Sequence, residues 1–321
     1  MVGPLRRLVA GSYERLLHRE ISGAPTHVAI IQDGNRRYAR KRGTDAPDGH
    51  REGAKTTERV LEWCDELGVR ELTLYAFSTE NFERPAHERE ALFDLLCEKL
   101  SEFADAEEVH ERGVTIRALG DVERLPERVQ DVVRYAEERT GDNDSLVLNI
   151  ALAYGGRAEL LGAARDVARA VEAGELSPDE IDVEAIEERL YERPVRDVDL
   201  IIRTGGDERT SNFLPWHANG NEAAVAFCTP YWPEFSKVDF LRAVRTYEHR
   251  EESWRRTRLD RALTLVRALS DTELTQAREV IGRLRDGEEF QQIDDDEPVA
   301  IAEEESETER VPADLDERPA D

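Results

Sequence analysis

Six short apolar runs, separated by connections much longer than a hairpin loop, constrain the fold more than any other feature of the sequence. Each run has about the length of a strand and is flanked by polar residues or glycine, and most connections carry an amphipathic helical pattern. Long helical crossovers join parallel strands, so the pattern predicts one α/β domain with a largely parallel six-stranded sheet flanked by helices. The predicted strands are 27–32, 71–77, 114–120, 146–152, 198–202 and 222–228.

Two segments lie outside this predicted domain, which spans residues 25–285 and is helical in pattern from 236 onward. Residues 1–24 are predicted to form a basic amphipathic helix. It could lie on a membrane surface or dock on the domain, and docking is favoured because most amphipathic helices are simply half-buried. Residues 286–321 contain 16 acidic residues and two arginines. We expect this acidic tail to be disordered, because it has too little apolar surface to offset its ordering entropy.

The charge of the chain argues against one class of function. Asp and Glu number 71 against 44 Lys and Arg, for a formal net charge of −27, whereas a general nucleic-acid-binding domain is basic. Only four of the positive residues are lysine, and this composition resembles that of proteins from salt-loving cells. Three widely spaced cysteines indicate a reducing cytoplasm. No run approaches the roughly 20 apolar residues that span a bilayer.

Polar residues concentrate directly after the predicted strands. In an open parallel sheet, ligands bind beyond the carboxyl ends of the strands, so these residues are expected to meet at one edge. Gly34 opens a strand-to-helix turn, where backbone N–H groups favour an anion, and arginine forks match phosphate oxygens. The arginines at strand ends are Arg37, Arg84, Arg203 and Arg209. The sequence therefore predicts phosphate binding at this edge.

Asp33 is the polar residue that follows the first strand, and two roles suit it. A carboxylate among arginines and phosphates is a natural Mg²⁺ ligand, because Mg²⁺ takes one or two carboxylates plus phosphate oxygens. The structural alternative is an N-cap for the next helix, worth about 1 kcal/mol. The sequence contains no GxxxxGK[ST] loop and no GxGxxG fingerprint, so the common nucleotide-binding modes are absent.

Five ordered segments of the chain resemble the cis-prenyltransferases, the undecaprenyl- and dehydrodolichyl-diphosphate synthases. They cover residues 25–255 at spacings similar to those of the family, and the motifs are HVAIIQDGNRRYARKRG, GH at 49–50, LTLYAFSTENFERP, LNIALAYGGR and DLIIRTGGDERTSNFLPW. The resemblance implies a six-stranded parallel sheet with a hydrophobic tunnel, usually in a homodimer. It also implies the condensation of isopentenyl diphosphate onto an allylic diphosphate, with each new double bond cis, and a long-chain polyprenyl diphosphate product that partitions to the membrane.

The resemblance assigns a role to each matching residue. Asp33 would be the catalytic aspartate that holds Mg²⁺ on a diphosphate, and Glu222 would be the second metal ligand. Ser78 and Asn81 match positions linked to proton removal from the condensed product, and Asn81 is taken as catalytic. The allylic diphosphate site would contain Gly34, Asn35, Arg36, Arg37, Tyr38 and His50. The diphosphate of isopentenyl diphosphate would be bound by Arg203, Arg209, Thr210 and Ser211. The remaining substrate contacts would be Thr79, Glu80, Phe82 and Arg84.

Each of these assignments has a structural alternative. Asn81 could be a turn residue, His50 a surface histidine, and Glu222 merely the start of a strand. Taken singly these alternatives are favoured, but inside five matching segments the functional interpretation is favoured instead.

The chain departs from the common bacterial form near the allylic site. That form has Gly and Trp at the positions of Arg36 and Tyr38, Arg at Ala46, and Asn at Ala153. The DGNRRYARKRG segment is similar to archaeal members, which are associated with geranylgeranyl diphosphate as the starter. Geranylgeranyl diphosphate is therefore the predicted starter, with farnesyl diphosphate as the alternative.

Two further classes of function fit the sequence less well. A non-catalytic partner subunit of a prenyltransferase complex would lack the catalytic aspartate, whereas this chain keeps Asp33 together with Asn35 and Asn81. Nucleic-acid binding through the five positive residues of segment 36–43 conflicts with the strongly acidic chain. The sequence leaves the product length open. We expect a cytoplasmic enzyme that can also lie at the inner face of the membrane.

Overall fold

All six predicted strands are present in the computed structural model, which describes residues 14–190, 196–218 and 223–268. They are β1 (His27–Ile31), β2 (Glu71–Tyr75), β3 (Val114–Leu119), β4 (Leu146–Ala151), β5 (Leu200–Arg203) and β6 (Ala224–Phe227). The strands form one sheet in the order β3-β4-β2-β1-β5-β6. Every neighbouring pair is parallel, which confirms the predicted sheet.

Helices form the connections between these strands, as the amphipathic patterns predict. They are α1 (Asn35–Arg42), α2 (Ala46–Leu67), α3 (Ala86–Asp105), α4 (Glu107–Glu111), α5 (Glu127–Thr140), α6 (Gly156–Glu172), α7 (Val183–Leu190) and α8 (Lys237–Ala268). No helix among the residues described is long and apolar enough to cross a membrane. The predicted acidic tail and the end of the predicted helical stretch, residues 269–321, lie outside the described residues.

The two faces of the sheet are packed by different parts of the chain. Side chains alternate between faces along a strand, so Val28 and Ile30 of β1 face the larger core, which also contains residues of α2, α3, α5 and α8. Ala29 and Ile31 face a smaller core that includes Phe213. Strands that are buried on both faces appear in sequence as continuous apolar runs, which is why the strand positions were readable.

The chain divides into a compact unit, Met1–Arg256, and a second unit, Thr257–Asp321. Within the first unit, residues 14–20 are helical, and Leu17 is buried. Glu20 forms an ion pair with Arg245 of α8, and the backbone N–H of Gly23 donates to Glu248 at 3.0 Å. This part of the predicted N-terminal helix therefore contacts the domain, whereas residues 1–13 lie outside the described residues.

Candidate active site

A cavity of about 320 Å³ lies at the carboxyl ends of β1, β2 and β5, where the sequence predicts a ligand site. One part of its wall is polar and the other apolar. The polar wall comprises Gln32, Asp33, Asn35, His50, Ser78, Glu80, Asn81, Arg84, Arg203, Arg209 and Ser211. The apolar wall comes mainly from α2 and α3 and includes Ala54, Leu92, Leu95, Leu96, Leu100 and Phe103. Such a cavity suits a ligand with an anionic head and a hydrocarbon body.

Asp33 lies at the centre of the polar wall, two residues beyond the end of β1. Its Oδ2 accepts a hydrogen bond from Nη2 of Arg203 at 2.7 Å. Its Oδ1 lies 3.1 Å from Nη2 of Arg37 and accepts the backbone N–H of Gly34 at 2.6 Å. The N-cap of α1 is Gly34, so Asp33 is not the simple helix cap that the sequence allowed.

These contacts keep the carboxyl group of Asp33 ionised. Burial by itself raises the pKa of this group, but hydrogen bonds from Arg203 and Arg37 favour the charged form and outweigh it. The net pKa of Asp33 therefore lies below its ordinary value. At neutral pH the site presents a carboxylate held between two guanidinium groups.

Arg203, the last residue of β5, is the most deeply buried cation of the site, with a side chain that is 4% exposed. Its guanidinium also donates to Asp207 at 3.1 Å, to the carbonyl of Arg209 at 2.6 Å and to the hydroxyl of Ser211. Its Nε is buried and has no hydrogen-bond partner within the described part of the chain. A buried donor without a partner is costly, so this atom indicates that a ligand completes the site.

Two glycines let the backbone approach the charged groups. Gly34 has a φ of +100°, and a Cβ at this position would lie 2.7 Å from Cδ1 of Tyr231. Gly205 has a φ of +86°, and a Cβ there would meet Nη2 of Arg37 at 2.7 Å. Because α1 begins at Asn35 and its N-cap, Gly34, has no capping side chain, the N–H groups of its first turn are available to an anion.

A second cationic group surrounds His50 on α2. Nη1 of Arg84 lies 3.5 Å from Nε2 of His50, and Arg36 forms an ion pair with Glu88 at 3.3 Å. Burial and the charges of Arg84 and Arg36 lower the pKa of His50 to about 3. The imidazole is therefore neutral at physiological pH and can accept a hydrogen bond from Arg84, so the positive charge here belongs to the arginines.

Ser78 and Asn81 form a reciprocal cap at the start of the short 3₁₀ helix Thr79–Glu83. The side chain of Ser78 accepts the N–H of Asn81, and Oδ1 of Asn81 accepts the N–H of Ser78 at 3.1 Å. Asn81 is therefore a turn residue, as the structural alternative predicted. Both residues also line the cavity, so this cap holds them at the site.

The other predicted site residues are placed differently. Gly34 and Arg37 contact Asp33 of the cavity wall, and Arg36 pairs with Glu88. The described lining of the cavity itself does not include Gly34, Arg36, Arg37, Tyr38, Thr79, Phe82 or Thr210. Phe82 packs against Phe77 with ring centroids 5.0 Å apart, and Tyr38 is buried beneath the guanidinium of Arg42. Glu222 falls outside the described residues, so its predicted role as a metal ligand stays a prediction.

Sequence reasoning missed several polar residues of the site. Asp207 contacts Arg203 and also lies 3.5 Å from Nη2 of Arg209 and 3.9 Å from Nη2 of Arg37. The hydroxyl of Thr204 accepts the N–H of Asp33 at 3.0 Å and donates to its carbonyl at 2.8 Å. Both residues lie in the RTGGDERTS segment, so their position directly after β5 is a signal. The contact of Thr204 with Asp33 was not predictable, because the two residues are 171 positions apart in the sequence.

Comparison with known sequences and structures agrees with this geometry. The family model described as "Putative undecaprenyl diphosphate synthase" matches residues 31–255. This match covers well over half of the chain. It includes Asp33, the arginines around Asp33 and His50, and every residue that lines the cavity. The chain belongs to this family.

Other members of the undecaprenyl diphosphate synthase family match over nearly the whole chain. A protein of Haloarcula marismortui, named tritrans,polycis-undecaprenyl-diphosphate synthase (geranylgeranyl-diphosphate specific), is 65% identical over 298 residues, which are 92% of this chain and 98% of that protein. A protein of Halobacterium salinarum with the same name is 69% identical over 273 residues, or 85% of this chain and 90% of that protein. Both genera fit the acidic, arginine-rich composition.

A solved structure shares the fold. The lavandulyl diphosphate synthase of Lavandula x intermedia, crystallised with dimethylallyl diphosphate, superposes with a TM-score of 0.64 at 34% identity. The superposition covers 70% of this chain and 95% of the lavandulyl diphosphate synthase chain. The prediction of a cis-prenyltransferase fold is thereby confirmed, whereas a continuous hydrophobic tunnel stays a prediction.

Proposed function

We propose that this protein condenses isopentenyl diphosphate with an allylic diphosphate, repeatedly and with cis geometry, to form a long-chain polyprenyl diphosphate that serves as precursor of a glycosyl carrier lipid. The observation that carries the proposal is the two-part cavity, with arginines and Asp33 along one wall and leucines along the other. A diphosphate head and a hydrocarbon body require these two environments side by side. The synthases that this chain resembles in sequence support the same assignment.

Each condensation breaks a carbon–oxygen and a carbon–hydrogen bond and forms a carbon–carbon bond. The carbon–oxygen electron pair leaves with the allylic diphosphate, the double bond of isopentenyl diphosphate supplies the electrons of the new carbon–carbon bond, and loss of one proton restores a double bond in the product. The leaving diphosphate gains negative charge, which nearby cations stabilise. We assign this role at the allylic site to Arg36, Arg37 and the first turn of α1, with Gly34, Asn35 and His50 shaping the same wall.

Arg203, Arg209 and Ser211 are proposed to bind the diphosphate of isopentenyl diphosphate. Arg203 is buried at the base of the cavity, and the unpartnered Nε provides a donor for a phosphate oxygen. Ser211 has a φ of +50°, a conformation that is uncommon for residues other than glycine and is concentrated at functional sites. Ser78, Glu80, Asn81 and Arg84 are proposed to contact the reacting ends, with Asn81 assisting proton removal.

The proposed cofactor is Mg²⁺, and the donor chemistry of the site fits it. Asp33 is an ionised carboxylate on the cavity wall whose side chain is 29% exposed. Mg²⁺ is usually held by one or two carboxylates plus substrate phosphates and water, so Asp33 suffices on the protein side, with Glu222 as the proposed second ligand. Bound there, Mg²⁺ would neutralise diphosphate charge and make the diphosphate a better leaving group.

The proposed starter is geranylgeranyl diphosphate. The names of the haloarchaeal relatives support this choice. Neither Tyr38 nor Ala46 belongs to the described lining of the cavity, so an effect of these two substitutions on the starter would have to be indirect. We expect kcat/KM for geranylgeranyl diphosphate to exceed that for farnesyl diphosphate about tenfold or more, because a few additional methylenes are buried at roughly 0.8 kcal/mol each.

The proposed assembly is a homodimer in the cytoplasm that releases a membrane-partitioning product. On β6, at the edge of the described sheet, Phe227 is 42% exposed, and an edge strand presents unpaired backbone groups that a second copy of the chain can cover. Light scattering of the purified protein measures the oligomeric state. Sedimentation with lipid vesicles measures association with the membrane.

A direct assay tests the proposed reaction. The protein is incubated with labelled isopentenyl diphosphate, Mg²⁺ and either geranylgeranyl or farnesyl diphosphate, and the products are sized by chromatography. Label in long-chain products that depends on both an allylic starter and Mg²⁺ is the expected result. Absence of labelled products with every starter would instead favour the non-catalytic partner subunit.

A further inference from the structure

The segment that follows β6, residues 228–232, contacts both of the turns that bear the charged groups of the site. The backbone N–H of Trp232 donates to the carbonyl of Asp33 at 2.9 Å, and that of Gly205 donates to the carbonyl of Pro230 at 2.7 Å. The segment therefore connects the turn after β1 to the turn after β5. Sequence reasoning missed it, because CTPYW lacks the arginines and glycines that mark the ends of β1 and β5.

Tyr231 of this segment packs against Gly34, the N-cap of α1. A Cβ at Gly34 would lie 2.7 Å from Cδ1 and 3.0 Å from Cα of Tyr231, so the two residues are in close contact. The side chain of Tyr231 is half-buried. It therefore lies against the start of the helix whose first N–H groups are proposed to bind the allylic diphosphate.

The ring of Tyr231 also lies beside two cations of α1. Its centroid is 5.5 Å from Cζ of Arg37 and 5.7 Å from Nζ of Lys41, and residues four apart share one face of a helix. Both distances fall within the roughly 6 Å range of a cation–π interaction. The two cations differ in their other partners, because Lys41 pairs with Glu234 at 3.1 Å whereas Arg37 pairs with Asp33.

Arg37 is held by contacts of two kinds. Its guanidinium lies 3.1 Å from Oδ1 of Asp33 and 3.9 Å from Oδ2 of Asp207, and it donates to the carbonyl of Gly205 at 2.8 Å. A bound diphosphate competes with the two carboxylates for this guanidinium, because phosphate oxygens are equivalent acceptors. It does not compete with the ring of Tyr231, which attracts the cation through its π face. The contact with Tyr231 therefore remains available when the site is occupied.

We propose that Tyr231 is a positioning residue of the allylic site, which holds the guanidinium of Arg37 and the first turn of α1 where they receive the diphosphate. Tyr231 acts on the substrate only through Arg37 and Gly34, so it is not a catalytic residue. The inference rests on the proposed prenyl-transfer function and adds to it a residue that sets the affinity for the allylic substrate. Binding of isopentenyl diphosphate, which is assigned to Arg203 and Arg209, should depend much less on this ring.

The test compares Tyr231→Leu, which removes the aromatic ring, with Tyr231→Phe, which keeps it. We expect KM for geranylgeranyl diphosphate to rise about three- to tenfold in Tyr231→Leu, the range that the loss of one cation–π contact produces. In Tyr231→Phe it should stay within about twofold, because the π face is retained. KM for isopentenyl diphosphate should stay within about twofold in both variants, whereas a purely structural role would change both constants together.

Calorimetric titration provides a readout that does not depend on turnover. Each protein is titrated with geranylgeranyl diphosphate in the absence of isopentenyl diphosphate, so no condensation occurs. The dissociation constant should rise about three- to tenfold in Tyr231→Leu and stay within about twofold in Tyr231→Phe. Urea unfolding of the same samples shows that each variant is folded. If Tyr231→Leu does not fold, Tyr231→Met provides the same comparison.

Lys41→Met is the matched control, since it removes the other cation beside the ring and leaves Arg37 in place. Its dissociation constant should stay within about twofold of that of the unmodified protein, because Lys41 is an exposed residue with a surface ion pair. Equal losses in Lys41→Met and Tyr231→Leu would overturn the assignment to Arg37. Unchanged constants in Tyr231→Leu, or an equal loss in Tyr231→Phe, would overturn the role of the ring. Failure of the unmodified protein to form any prenyl product would instead reject the proposed function.

Discussion

Replacing Asp33 with asparagine tests the centre of the site, because this residue has contacts that serve both the fold and the proposed chemistry. The carboxylate accepts hydrogen bonds from Arg203 at 2.7 Å and from the backbone of Gly34 at 2.6 Å, and it pairs with Arg37 at 3.1 Å. Asparagine has almost the same shape and keeps one acceptor oxygen. The substitution therefore removes the negative charge while leaving the packing nearly unchanged.

The expected loss of stability is modest. A hydrogen bond to a charged group contributes about 1.5–3 kcal/mol, but Asp33 is 29% exposed and Arg203 keeps its contact with Asp207. We therefore expect the free energy of unfolding to fall by about 1–2 kcal/mol at pH 7. Because the pKa of Asp33 is lowered in the folded state, its contribution is present above the unfolded pKa of about 3.9 and is lost as the pH falls through the folded value.

The expected loss of activity is much larger. Removing one group that stabilises charge in a transition state typically lowers kcat by 10²–10³, and Asp33 is also the proposed Mg²⁺ ligand. We expect kcat to fall by about 10³-fold, equivalent to about 4 kcal/mol, with no recovery at high Mg²⁺. The measurements are steady-state incorporation of labelled isopentenyl diphosphate across a Mg²⁺ titration and urea unfolding of the same samples.

Asp207→Asn is the matched control for this experiment. It removes the same charge from the same arginine group, since Asp207 lies 3.1 Å from Nη2 of Arg203, but Asp207 has no proposed metal role. We expect its kcat to stay within about tenfold of the unmodified protein, a difference below about 1.4 kcal/mol. Near-normal turnover of Asp33→Asn at saturating Mg²⁺, or equal losses in both variants, would refute the reasoning.

Three further predictions follow from single features of the chain. Burial and two arginines lower the pKa of His50 to about 3, so the unfolded state binds a proton at a higher pH than the folded state does. Between pH 6.5 and 5, the free energy of unfolding should therefore fall by about 1–2 kcal/mol more in the unmodified protein than in His50→Asn. Urea unfolding measures this, and the same pH dependence in both proteins would contradict the prediction. Gly34→Ala should lower the free energy of unfolding by about 1–3 kcal/mol, because its Cβ would meet Tyr231 at 2.7 Å. Gly43→Ala should lower it less in the same urea unfolding measurement, because a Cβ there meets nothing within 4 Å. Deleting residues 286–321 should preserve turnover and melting temperature, and a large drop in the melting temperature would show that this acidic segment docks on the domain.

The sheet was predictable because its central strands, such as β1 and β5, are buried on both faces. Runs such as HVAII and LIIR are mostly apolar and buried at every position, so they could be recognised as strands without knowing which strands lie beside them. Their parallel direction followed from the length of the connections between them. The edge that carries the site followed from the same topology, since the carboxyl ends of parallel strands meet at one edge.

The contacts inside the site were not predictable in the same way. The sequence placed Asp33 and Arg203 at the same edge of the sheet. It did not indicate that Asp207 and Asp33 both accept hydrogen bonds from the guanidinium of Arg203. Nor did it indicate that Asn81 caps its own 3₁₀ helix through Ser78 while also lining the cavity. These outcomes depend on side-chain directions set by loops, whose conformation is determined by packing rather than by a periodic pattern.

By itself, the sequence determined the positions and the parallel direction of the strands, the edge of the sheet at which ligands bind and the family to which the chain is similar. Only the tertiary structure decided the order of the strands in the sheet and that burial, with the charges of Arg84 and Arg36, keeps His50 neutral. Secondary structure follows from local apolar periodicity, which each segment carries within a few residues. A pKa or the boundary of a cavity depends instead on which distant segments pack together, and this becomes defined only when the chain is folded.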